Sequence, residues 1–132
     1  MILPISAFYA GLFGLCYFYL SVLVIKERTK GGISLGDGNI DELNRAIRAH
    51  CNFIEYVPLC LLLLICLELN TAYSSFLHIT AITLLVGRLL HAYGLRKHVL
   101  PGWQRKCGML FTFIALIALA VANLSLIYWK SV

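Results

Sequence analysis

The chain has 132 residues, of which 61% are hydrophobic and only 13% charged, with a mean hydropathy of +0.85. A soluble domain is about half apolar and about a quarter charged, and a small one cannot enclose this much apolar surface, so a water-soluble enzyme and a disordered tail are both excluded. The net charge of +5 does not point to nucleic acid: ten of the eleven Lys and Arg residues lie between Lys26 and Lys106, in or beside two connecting segments, with no continuous basic stripe.

At about 20 residues per crossing, the length allows one domain, residues 1–132, with four membrane helices and short loops. The apolar runs cover residues 3–25, 53–69, 72–90 and 109–129. Each is expected to be helical, because hydrocarbon offers the backbone no water to bond. The first run lacks a basic leader and is long enough to remain as a spanning helix. Its Gly11 and Gly14, with Ala115, Ala118 and Ala122 in the fourth run, are expected to permit close helix packing. The first loop contains Gly31, Gly32, Gly36 and Gly38, a turn region. After it, residues 41–50 place acids first and arginines later, which predicts a helix starting at Asn39 or Asp41 and running unbroken into the membrane. Asn70-Thr71 predicts a tight turn between the second and third helices, and Pro101-Gly102 ends the third loop.

Both loops rich in Lys and Arg, residues 26–48 and 96–106, are cytoplasmic by the positive-inside rule, which puts both termini on the opposite side. Trp103 then marks the inner interface, with Tyr73 and Trp129 at the outer one. Arg96, Lys97 and Lys130 read as interface or topology charges, and Glu68 as a solvated residue near the outer boundary. The five cysteines, Cys16, Cys51, Cys60, Cys66 and Cys107, are odd in number and contain no CxxC pair. They read as small core residues, and no metal site is expected.

The informative residues are ionisable groups just inside the apolar runs. Arg48, Asn52 and Glu55 are spaced i, i+4, i+7 and share a helix face, with Tyr56 beside them. Arg88 and His91 share a face of the third helix, Arg105 and Lys106 open the fourth, and Lys26 and Arg28 close the first. Charge within a membrane costs a few kcal/mol on insertion scales and normally meets a partner or a wet cavity. A structural reading has Arg48 snorkelling to headgroups and Glu55 paired with Arg88 or Arg48. A functional reading notes the excess of arginine over acid, which suits an anionic ligand with several carboxylates or phosphates. Pro58 removes a backbone donor and crowds the carbonyl of Ile54, next to Glu55. His91 is either a packed histidine or a proton shuttle, His50 points toward the interface, and His78 and His98 are structural or exposed.

The segment Arg48-Ala49-His50-x-Asn52-x-x-Glu55-Tyr56-x-Pro58-Leu59 resembles the second-helix signature of the MAPEG family, the membrane-associated proteins in eicosanoid and glutathione metabolism. Gly87-Arg88-x-x-His91 is similar to that family's third-helix motif, and the Gly36-Asp37-Gly38 turn to its bacterial branch. The resemblance covers nearly the whole chain. It implies an all-α four-helix transmembrane bundle assembling as a homotrimer, with glutathione as cosubstrate bound between subunits toward the cytoplasmic side.

By position, Arg48, Asn52, Glu55 and Tyr56 match family residues lining the glutathione site, and Arg88 and His91 match positions close to the peptide. Arg105 matches the arginine thought to activate the thiol. Arg28 matches a first-helix arginine that reaches the ligand, with Lys26 as the alternative. Three positions depart from the pattern: Leu95 replaces a frequent tyrosine, Lys106 stands where some members have serine, and Cys51 where some have arginine. The implied activity is a glutathione transferase or peroxidase acting on lipophilic electrophiles in a bacterial inner membrane, among membrane lipids. The alternative, favoured by Leu95 and Lys106, is a non-catalytic helper that binds lipid or an anion.

Overall fold

A computed structural model describes residues 2–97, 100 and 102–130, the last four without their side chains. Four helices follow in order: α1 (Pro4–Gly31), α2 (Asp41–Leu69), α3 (Ser74–Lys97) and α4 (Trp103–Lys130). No strand occurs among the described residues. All four are long and apolar enough to cross a membrane. At 28 residues, α1 is about 42 Å long, more than a hydrocarbon core of about 30 Å, so its basic C-terminal end projects into the polar region. The expected start of the second helix is borne out, and the dozen residues of α2 that precede the apolar run continue into it unbroken. Pro58 lies inside α2, on its exposed side.

The helix ends follow local chemistry. Pro4 occupies the first turn of α1, where a missing N–H costs nothing. Gly32 caps the other end in the left-handed conformation, φ 66°. Ile40, and not Asn39, is the residue preceding α2, and it offers no side-chain cap. Asp37 ties this junction instead, accepting from the Asn39 backbone N–H at 3.1 Å and from Asn44 Nδ2 at 2.6 Å. These donors, the Asn39 amide first, hold the Asp37 carboxyl below the usual carboxylate range. Its support of the loop is therefore present above that range and lost as the pH falls through the lowered value. Thr71, at φ 60°, makes the tight α2–α3 turn. Pro101, His98 and the Trp129 side chain lie outside the described residues.

Packing is uneven. α3 and α4 form the closest pair, α2 touches all three other helices, and α1 rests on α2 and more lightly on α3, without meeting α4 among the described residues. The close approach of α3 and α4 depends on Gly87, Gly94 and Gly108: a Cβ on Gly108 would stand 2.6 Å from the His91 backbone N and 2.7 Å from the Gly87 carbonyl. Gly11 and Gly14 make no packing contact within the chain: a Cβ on either meets nothing within 4 Å, so both lie on the outer face of α1. Ala115 is buried, as expected, while Ala118 and Ala122 are half-buried. Phe8, Leu15, Phe18, Val22, Ile79, Ile114, Ile117 and Val121 are exposed, an apolar perimeter suited to lipid and unsuited to water. Tyr73 and Trp103 are also exposed. Cys60 is buried and the other cysteines are half-buried, all free.

Glu68 is not the solvated residue expected. Its carboxylate accepts the backbone N–H groups of Ile5 at 2.9 Å and Ser6 at 2.7 Å, so it caps the first turn of α1 from the far end of α2. An anion at a helix N-terminus also complements the helix dipole. Beside it, the Tyr9 hydroxyl and His78 Nδ1 share a 3.0 Å hydrogen bond between α1 and α3. Replacing Glu68 by alanine should cost about 1–2 kcal/mol, the range of a lost helix cap, read as a lower midpoint of thermal unfolding in detergent. An unchanged midpoint would show that the cap contributes nothing.

Candidate functional site

Arg88 is the hub of the polar residues. It is only 2% exposed, held among α2, α3 and α4. Its Nη1 donates to Asn52 Oδ1 at 2.7 Å and to the Asn52 carbonyl at 3.3 Å. Its Nη2 donates to the Gly108 carbonyl at 3.5 Å and to Met109 Sδ at 3.4 Å. The guanidinium carbon lies 5.2 Å from the centre of the Tyr56 ring, a cation–π contact, and that ring meets Phe113 edge-on. Asn52 in turn donates Nδ2 to Glu55 Oε2 at 3.2 Å. Asn52 thus bridges the buried cation and the exposed carboxylate, and the expected direct Glu55–arginine pair does not form.

The two ion pairs among the described residues, Lys30–Glu27 at 4.0 Å and Arg45–Glu42 at 3.2 Å, lie near the α1–α2 loop and away from this network. Neither Arg48 nor Arg105 has a hydrogen bond or carboxylate partner among the described residues. Arg48 is exposed, one helical turn before Asn52, on the face that also carries Glu55. Arg105 is half-buried; its stem packs on Gly94, where a Cβ would come within 2.8 Å of Arg105 Cγ. His91 is 8% exposed, packed between α3 and α4, with Arg88 and Arg105 as charged neighbours. Its burial agrees with the packed reading.

The structure therefore joins Asn52, Glu55, Tyr56 and Arg88 by direct contacts and sets His91 and Arg105 beside them. Arg28 is not part of this group within the chain: its Nη1 donates to the Gly36 carbonyl at 2.9 Å and closes the loop, which Gly36, at φ 72°, turns. His50 does not point toward the membrane interface but inward to α1, with Nε2 3.2 Å from Ser21 Oγ and its ring 4.7 Å from Tyr17. Arg48 and Glu55 lie exposed on the outer face of α2, while Arg88 behind them is buried. A cavity of about 560 Å³ lies between α1 and α3, lined by Phe53 and Arg88 but not by Asn52, Glu55 or Tyr56. Of the departures noted above, Leu95 is buried at 8% exposure, Lys106 is exposed, and Cys51 is half-buried. Tyr93, near Leu95 in sequence, lines the α1–α3 cavity.

What the sequence reading missed is the packing role of Gly87, quoted only within the third-helix motif, and of Gly94, the two glycines flanking His91. Their seven-residue spacing was the available signal for the α3–α4 contact. Among the described residues no group of three or more metal-ligating side chains occurs.

The MAPEG family model matches residues 6–125, from α1 into α4. The inner membrane protein YecN of Escherichia coli K12 is 40% identical over 128 residues, which cover 97% of this chain and 96% of its own length. YecN from E. coli O6:H1 strain CFT073 matches equally, at 40% over 128 residues. No solved structure matches significantly. With four spanning helices, a polar network centred on the second and third, and a family match reaching from the first helix to the fourth, this membrane protein belongs to the MAPEG family.

Proposed function

We propose that the chain binds glutathione and acts as a membrane glutathione transferase or peroxidase on lipophilic electrophiles. The observation that carries this reading is the Arg88–Asn52–Glu55 chain of hydrogen bonds, flanked by two guanidinium groups, Arg48 and Arg105, that lack an acidic partner among the described residues. The donor set fits the tripeptide, which carries two carboxylates and one ammonium. Arg48 takes a carboxylate, Glu55 the ammonium, and Asn52 and Tyr56 the peptide groups. Arg88, whose Nη donors are engaged inside the protein, orients Asn52 from behind, and His91 packs beside it.

A free thiol with a pKa of about 8.5 is mostly protonated at neutral pH, and a fixed cation beside it favours the thiolate. Arg105 supplies that cation. The thiolate forms a carbon–sulfur bond while the leaving group departs with the bonding pair. With a lipid hydroperoxide, two glutathione molecules are oxidised to the disulfide, and the hydroperoxide becomes alcohol and water.

The open α2 face supports assembly. Arg48 and Glu55 are exposed beside an apolar run, where lipid contact costs a few kcal/mol per charge, so a second copy covers this face. We take the assembly to be a homotrimer in a bacterial inner membrane, with both termini on the non-cytoplasmic side. Arg28 then reaches the ligand of a neighbouring subunit. The test is thermal unfolding in detergent during glutathione titration. Glutathione raises the midpoint as a ligand of the native state does, and Arg48→Ala reduces the rise. No rise at saturating glutathione removes the reading. The buried Leu95 and exposed Lys106 favour a second reading, a non-catalytic lipid- or anion-binding helper, for which a lipid raises the midpoint and glutathione supports no turnover.

A further inference from the structure

The cavity of about 560 Å³ between α1 and α3 is used by nothing described so far. Its volume falls in the usual range of ligand pockets, about 300–1,000 Å³. Leu15 and Tyr19 of α1 face Leu89 and Tyr93 of α3 across it, with Phe53 of α2 as the floor. The walls are apolar apart from two arginines, Arg88 and Arg96, and the hydroxyl ends of Tyr19 and Tyr93.

The first is Arg88, nearly fully buried, whose Nε has no hydrogen-bond partner among the described residues. Its Nη donors are held inside the protein by Asn52, Gly108 and Met109, so Arg88 closes the inner end of the groove. The second is Arg96, eight residues further along α3 and about 12 Å nearer the basic end of the helix. Its one hydrogen bond among the described residues is a long one, Nη1 to the Tyr19 hydroxyl at 3.5 Å, which reaches across from α3 to α1. Arg96 is half-buried, whereas Lys97 beside it is exposed. A charge serving only topology would be as free as Lys97.

We infer that this groove is a binding site for an anionic phospholipid, with one acyl chain along the apolar wall and the phosphate held by Arg96 between Tyr19 and Tyr93. Three features select this occupant over a second copy of the chain. The groove lies between helices that cross the membrane, where acyl chains are the abundant apolar solute. Its polar end carries positive charge with hydroxyl donors on either side, the chemistry of a phosphate site, and basic pockets between transmembrane helices bind such headgroups. The charged face that lipid cannot cover, Arg48 and Glu55, lies on α2 and outside the groove. The inference does not depend on glutathione binding.

The experiment uses the purified full chain in detergent, with dioleoyl phosphatidylglycerol or dioleoyl phosphatidylcholine added. Bound lipid is counted by native mass spectrometry, and the thermal midpoint is followed in parallel. Phosphatidylglycerol is expected to bind and to raise the midpoint more than phosphatidylcholine. Arg96→Gln should weaken phosphatidylglycerol binding by about tenfold, the scale of a lost charge-assisted contact. Arg96→Lys should retain part of the preference, and Ala92→Phe, which fills the groove, should remove it.

Equal binding of the two lipids, or a preference that survives Arg96→Gln, overturns the inference. So does an Ala92→Phe protein that loses its oligomeric state while its lipid binding is unchanged, since the groove would then belong to a second copy. Should Ala92→Phe fail to fold, the Arg96 variants decide alone.

Discussion

The Arg105→Ala protein is expected to turn over glutathione and chlorodinitrobenzene about 10²–10³-fold more slowly than the wild type, the usual loss when one preorganised electrostatic stabiliser is removed. The expectation follows from where the guanidinium stands. Its stem packs on Gly94, and no carboxylate among the described residues neutralises its charge. On the proposed function the loss should fall mainly on kcat, because that reading assigns Arg105 to the charge on sulfur and Arg48 and Glu55 to the rest of the tripeptide. Because Arg105 is half-buried and unpaired with acid, its removal should leave the unfolding midpoint nearly unchanged. Arg105→Lys should recover part of the rate, since it keeps the cation but loses the fork-shaped donor array. Steady-state kinetics over a glutathione series measures all of this. Unchanged turnover in Arg105→Ala would remove Arg105 from the chemistry.

Arg88 should behave in the opposite way. Truncation to alanine leaves a void among three helices and strips Asn52 Oδ1 and the Gly108 carbonyl of a donor. The expected cost is about 2–5 kcal/mol, the range for large-to-small changes in a core. Arg88→Met keeps most of the volume and removes the penalty of holding a cation out of water. Its midpoint should lie above that of Arg88→Ala, because the volume is kept although Asn52 Oδ1 and the Gly108 carbonyl still lose a donor. Both variants should lose the glutathione-induced rise, because Asn52 is no longer oriented. Thermal unfolding with and without glutathione separates the two effects. If Arg88→Met kept the full rise, Arg88 would be a packing residue only.

These two arginines also show how far the sequence could be read. The four spans, the early start of α2 and the Arg48/Asn52/Glu55 stripe were legible because hydropathy and helical spacing are local properties. Partners were not. Glu55 was expected to pair with arginine, yet Asn52 stands between them, a detail fixed by side-chain reach and not by spacing. Glu68 read as a solvated boundary residue because its acceptor role depends on amides more than sixty positions away. Gly11 and Gly14 read as packing glycines, while within the chain Gly87, Gly94 and Gly108 do the packing; a small residue is the same letter on an outer face and at a helix contact. Arg28 and Arg96 are each one of several basic residues at a helix end, and only the fold distinguishes a loop clasp from a groove mouth.

The cap that Glu68 places on α1 also bears on the order of biogenesis. The first helix leaves the ribosome with bare amides at Ile5 and Ser6, and the carboxylate that satisfies them is synthesised 63 residues after the first of these and 62 after the second. Until the second helix has been inserted to its very end, α1 lacks this anchor at its N-terminal tip. Docking of α1 is therefore completed by the last turn of α2, and a nascent chain halted before that turn would hold α1 loosely in the bilayer.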